Sequence, residues 1–169
     1  MDRRASQTLR DALARERRLA EVQTSPCVST LNAWVASHNS GSTQRMPWFD
    51  PGDAGNDAAV LFLLESPGPK SDSANGSGII SVDNADQTAK NLWSLRANAG
   101  LVERAIHWNV VPAYLGTDDR RVKAPSPTQV ADGVALLAEV VALMPELQVV
   151  VPMGGPAKAN LFKLPAGQR

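Results

Sequence analysis

Ala58-Ala59-Val60-Leu61-Phe62-Leu63-Leu64-Glu65, followed by Ser66-Pro67-Gly68-Pro69, is the stretch that decides the fold. Its apolar residues are continuous rather than alternating, the pattern of a strand covered on both faces of a sheet. The run ends at a turn whose two prolines cannot extend a hydrogen-bonded ladder. Two further stretches read the same way: Ala105 to Val111 (AIHWNVV), closed by Pro112, and Leu147 to Pro152 (LQVVVP). Helical periods lie between them. Asn84 with Gln87 predicts a capped helix to about Ala99, ended by Gly100. Val130, Val134, Leu137, Val140 and Val141 give the apolar side of another from Pro127 to Leu143. Strands alternating with helices predict an α/β fold, a three-layer domain around a mainly parallel central sheet. Three core strands make that sheet thin against the usual four to six.

Working outward, Ser6 to Val22 repeats Leu9, Ala12, Leu13, Leu19 and Ala20 at helical spacing, with charges between. An amphipathic helix is expected, its arginines solvated among Asp11, Glu16 and Glu21. A second helix opens at Pro26 and runs to about Ser37. Residues 1–45 therefore form an N-terminal helical segment ahead of a domain spanning 46–169. Met46-Pro47-Trp48-Phe49-Asp50-Pro51 is too rich in proline for regular structure. Gly154-Gly155-Pro156 starts a short last helix.

Composition narrows the function classes. Lys plus Arg and Asp plus Glu are both 17, so the net charge is zero, and a strongly basic nucleic-acid binder is excluded. Cys27 is the only cysteine, which rules out a disulfide framework or a cluster site built from several thiolates. No metal or other cofactor is expected. The N-terminus has no apolar core of a secretory signal, and no stretch reaches the roughly 18 apolar residues of a membrane helix. A cytoplasmic protein without membrane contact is expected.

In open α/β sheets, ligands bind at the carboxyl ends of the strands. Glu65-Ser66-Pro67-Gly68 follows the first strand and Asn109 stands near the end of the second, so both are expected to line one crevice. An acid and an amide there suit positioning of a water and recognition of a uracil-like edge. The residues by themselves fit a salt-bridged strand terminus and a satisfied buried amide as well. His107 is expected to face away from Asn109, as a core or helix-packing histidine. Arg120, Arg121 and Lys123 are the candidate phosphate contacts, in a loop that also carries Asp118 and Asp119. Neither GxGxxG nor GxxxxGK[ST] occurs.

Taken in order, these pieces resemble the uracil-DNA glycosylase superfamily, in particular branches whose first motif reads Gly-Glu-Ala-Pro-Gly. Here it reads Leu64-Glu65-Ser66-Pro67-Gly68, followed by GSGIISVDN, Asn91-Leu92-Trp93, HWNVVP and VVVPMGG. The upstream Pro47-Trp48-Phe49-Asp50-Pro51 fits the same pattern, and the resemblance covers roughly Met46 to Phe162. It implies hydrolysis of the N-glycosidic bond of uracil, or another deaminated base, after the base is flipped out of DNA. It implies Glu65 as the acid that orients water or steadies the cation, and Ser66, Pro67 and Gly68 as pocket wall. Ile79 would give an aliphatic contact where many members stack an aromatic ring, and Asn109 would read the base. DNA is the implied partner, bound weakly and in a salt-sensitive way.

Members of the family end with a His-Pro-Ser motif, and this chain stops at Pro165-Ala166-Gly167-Gln168-Arg169. The C-terminal strand and helix are therefore expected to be missing, with excision reduced. The apolar edge at Leu147 to Val151 is expected to self-associate. The alternative is a non-catalytic α/β binding module that keeps the crevice without the chemistry.

Overall fold

The computed structural model describes residues 6–119, 121–161 and 163. Its centre is a three-stranded parallel sheet of β2 (Val60–Leu64), β4 (Ala105–Asn109) and β7 (Val149–Pro152), in the order β4-β2-β7. The middle strand is the continuous apolar run, as a strand with two neighbours and two covered faces requires. Val60 to Leu64 pair with Ala105 to Asn109 one for one, so the two strands end together.

Side chains alternate across this sheet. Leu61, Leu63, Ile106 and Trp108 enter the larger core with Leu31 and Val35 of α2 (Ser29–Asn39) and Leu137 and Val140 of α4 (Pro127–Ala142). Phe62 and Ala105 pack on the other side with Leu92 of α3 (Gln87–Asn98). Helices thus cover both faces, and the α/β reading holds. Ser126 begins α4 with a capping box, its hydroxyl accepting from Gln129 N while Gln129 accepts from Ser126 N. The last helix, α5 (Gly155–Leu161), follows β7 directly.

Several local expectations are corrected. The first helix does not begin at Ser6: a 3-10 turn spans Thr8–Arg10 and α1 runs Ala12–Glu21. Asp11 is the cause, because its carboxylate caps Ala14 N at 2.9 Å and so holds residue 11 outside the helix. Nor is the arginine face wholly solvated, since Arg18 donates to buried Asp50 at 2.5 Å and lies 3.5 Å from Asp83. The proline-rich segment is partly regular. Trp48–Phe49 form β1, paired in parallel with β3 (Ile79–Ile80), because neither residue is a proline and each keeps an N–H to donate, Trp48 to the Gly78 carbonyl and Phe49 to Asn32 Oδ1. Asp86, not Asn84, caps α3, accepting from Ala89 N. Asn84 instead donates to Ser71 Oγ and the Ile79 carbonyl, tying the long loop after β2 to β3.

The N-terminal helices are built into the same body. Asn32 on α2 is fully buried and donates to the carbonyls of Val22 and Phe49 while accepting from Phe49 N. The strand β7 has one partner among the described residues, β2, and its Val149 is half exposed. None of the described helices is long and apolar enough to cross a membrane.

The approach of α4 to the strand end is set by Gly133. A Cβ there would stand 2.1 Å from the Val110 carbonyl oxygen. Gly133→Ala is therefore expected to destabilise the protein by about 1–3 kcal/mol through overpacking, more than the ~0.5–1 kcal/mol that alanine adds to a helix. Urea unfolding checks this: a midpoint unchanged or raised would show that α4 is free to move.

Candidate active site

Beyond the strand ends the pairing of β2 and β4 continues, with Val110 N donating to the Leu64 carbonyl and Val111 N to the Glu65 carbonyl. This fixes the backbone of Glu65 beside Asn109 at the carboxyl edge of the sheet. A cavity of about 370 Å³ opens there. Glu65, Ser66, Pro67 and Gly68 form one wall and Asn109 another, so the crevice expected from the sequence exists and brings these five together. Glu65 is half-buried and belongs to none of the ion pairs among the described residues. Asn109 is only 3% exposed, and its Nδ2 has no hydrogen-bond partner among the described residues. An unmet buried donor costs about 1–3 kcal/mol, so this amide has a hydrogen bond left to give.

Two expectations fail at this site. Ile79 is wholly buried and does not line the cavity; Ile80 does, because neighbouring strand residues point to opposite sides. His107 does not face away from Asn109. It stands two positions earlier on the same strand, so both share one face, and His107 lines the cavity floor. Trp108 is the residue that points the other way, stacked on Phe49 with ring centroids 4.0 Å apart.

His107 is anchored from behind. Its Nδ1 lies 3.1 Å from Asp53 Oδ2, while Arg96 of α3 donates to Asp53 Oδ1 and to the Val102 and Ala105 carbonyls. All three side chains are buried. Burial by itself would raise the Asp53 pKa, but its contacts with His107 and with the Arg96 guanidinium outweigh it and hold Asp53 below its ordinary value. Asp50 behaves oppositely. Burial, with the nearby Asp53 charge, raises its pKa despite hydrogen bonds from Arg18, Ser81 and Gly52 N.

Ser81, Asp86 and Thr88 complete the polar lining, while Val82, Leu92 and Met153 supply apolar surface. At the rim, Val122 lies on a short hairpin of β5 (Thr117–Asp118) and β6 (Arg121–Val122), with exposed Arg121 and Lys123 on either side. This loop was expected to be irregular; Gly116 and Asp119, both at positive φ, let it turn back on itself. Arg120 lies outside the described residues. Among those described, no three His, Cys, Asp or Glu side chains are grouped to hold a metal ion.

Sequence patterns could have flagged His107 and Ile80, since the period of two places each on its face. Asp53 had no such signal. It sits in a turn more than fifty residues before His107, and only the fold brings them together. No known protein-family model matches the chain, and no curated protein matches it either.

Proposed function

We propose that this chain is a uracil-DNA glycosylase-like enzyme, hydrolysing the N-glycosidic bond of uracil or another deaminated base in DNA. One observation carries the reading: a carboxylate and a buried amide without a partner among the described residues, Glu65 and Asn109, line one cavity at the ends of adjacent parallel strands. The cavity, about 370 Å³, falls within the usual range for small-ligand sites. In this reading the Asn109 amide donates to a carbonyl of the flipped base, and Ile80 and Leu92 give it apolar surface. Glu65, on the cavity wall, orients the attacking water or steadies the positive charge developing on the sugar.

A single-stranded oligonucleotide carrying one uracil tests the proposal. Incubation followed by alkali should break the strand at the uracil position alone. Binding without alkali-labile sites would favour the alternative, a module that keeps the crevice without the chemistry. Intact strands and no binding would remove both readings.

The grip on DNA is expected to be weak, because the net charge is zero. Arg121 and Lys123 flank the rim residue Val122 and pair with no acid among the described residues. Changing both to Ala should reduce the slope of log affinity against log salt by about 0.7 for each phosphate of a single strand that the protein no longer neutralises. An unchanged slope in a salt titration would place the DNA elsewhere.

A further inference from the structure

The floor of the cavity holds a second unmet polar atom. His107 is 2% exposed, its ring lies parallel to Phe62 with centroids 5.4 Å apart, and its buried Nε2 has no hydrogen-bond partner among the described residues. Trp108 Nε1 is also unpaired among the described residues, but Trp108 points into the opposite core, whereas His107 lines the cavity. Buried polar atoms without a partner are rare enough in folded proteins to need a reason. Here the neighbouring reason is the Asn109 amide, unpaired on the same strand face.

The ring's hydrogen-bonding sense follows from its anchor. Arg96 pairs with Asp53, and an ionised carboxylate only accepts hydrogen bonds. Nδ1 of His107 must therefore carry the hydrogen that Asp53 Oδ2 accepts at 3.1 Å. In the neutral ring this leaves Nε2 with a lone pair and no hydrogen. Two lining residues, two apart on one strand face, then carry complementary unmet atoms: a donor at Asn109 Nδ2 and an acceptor at His107 Nε2.

We propose that His107 is a specificity-determining residue of this cavity, its Nε2 accepting a hydrogen bond from a ring N–H of the bound base beside the carbonyl that Asn109 takes. The inference rests on the glycosylase reading and names the edge that the site recognises: a ring carbonyl adjoining an N–H, as uracil presents at O4 and N3. A base with that nitrogen methylated would put a methyl group against the Nε2 lone pair. Asp53 is a positioning residue, acting through the His107 tautomer.

The sequence has two histidines, which makes the test direct. His38 lies on the far side of the sheet, with its ring 4.3 Å from Trp34, and serves as the internal reference. Side-chain ¹⁵N spectra of the full chain near pH 8 should show His107 as the Nδ1–H tautomer. Adding uracil should move its Nε2 resonance and leave His38 unchanged. His107→Asn keeps an amide donor for Asp53 while deleting Nε2. It should weaken uracil binding about tenfold, the worth of one hydrogen bond to a buried group, and leave the weaker binding of 3-methyluracil unchanged.

An Nε2–H tautomer overturns the inference, as does equal weakening of both ligands in the variant. Uracil that binds without moving the Nε2 resonance sinks the role of His107 alone. Uracil that does not bind at all sinks the glycosylase reading with it. If His107→Asn fails to fold, the tautomer and the uracil-induced shift in the unaltered protein decide.

Discussion

Glu65→Gln is expected to lower the rate of uracil release about 10²–10³-fold while leaving the fold and the binding of free uracil intact. Glutamine keeps the size of the side chain and both polar atoms, but not the negative charge. The half-buried Glu65 belongs to none of the ion pairs among the described residues, so its replacement leaves no buried partner stranded. The loss should therefore fall on the chemical step. Single-turnover excision from a uracil-containing strand measures it, with thermal unfolding of the same sample as the control. Asn109→Ala should behave differently, weakening free-uracil binding as well, because its amide contacts the base before and after bond cleavage. Full turnover by Glu65→Gln would take the carboxylate out of the mechanism.

How much of this was legible in the residues depended on the range of the interaction. The three strands were readable because burial on both faces leaves a continuous apolar run, and α4 because Val130, Val134, Leu137, Val140 and Val141 repeat at helical spacing. The cavity wall was readable for the same reason: parallel strands that end together bring Glu65 and Asn109 to one edge. The errors were local competitions with two outcomes. Asp11 sits in an apparent helical period, yet its short carboxylate caps Ala14 N and so starts the helix only at residue 12. Trp48 and Phe49 stand between prolines but keep their own N–H donors, and β3 pairs with them despite the flanking prolines. The assembly of Asp53, Arg96 and His107 was out of reach, since each comes from a separate element and only packing aligns them. Arg18 with Asp50 is of the same kind.

That buried assembly sets the largest expected effect on stability. Asp53→Ala should destabilise the protein by about 3–5 kcal/mol at neutral pH, because it leaves Arg96 as a buried charge without its carboxylate. Arg96 is 3% exposed and would keep only its two carbonyl acceptors, on Val102 and Ala105. The pH dependence separates this effect from simple loss of packing. Asp53 titrates below its ordinary value in the folded chain, so its contribution is present above the unfolded carboxylate pKa of about 3.9. It is lost as the pH falls through the lower, folded value. The gap between wild type and Asp53→Ala should thus stay constant through the neutral range and close only in strong acid. Asp50 carries the opposite sign. Its folded pKa is raised, so its contribution is present in acid and lost as the pH rises through the folded value. Asp50→Asn keeps an acceptor for Gly52 N and removes a charge that burial and Asp53 both disfavour, and it should cost far less at neutral pH. Chemical denaturation of the three proteins from neutral to acid pH tests both signs at once. A gap for Asp53→Ala that persists undiminished into strong acid would assign its cost to packing, and Asp53 would lose its place as the charge that orients His107.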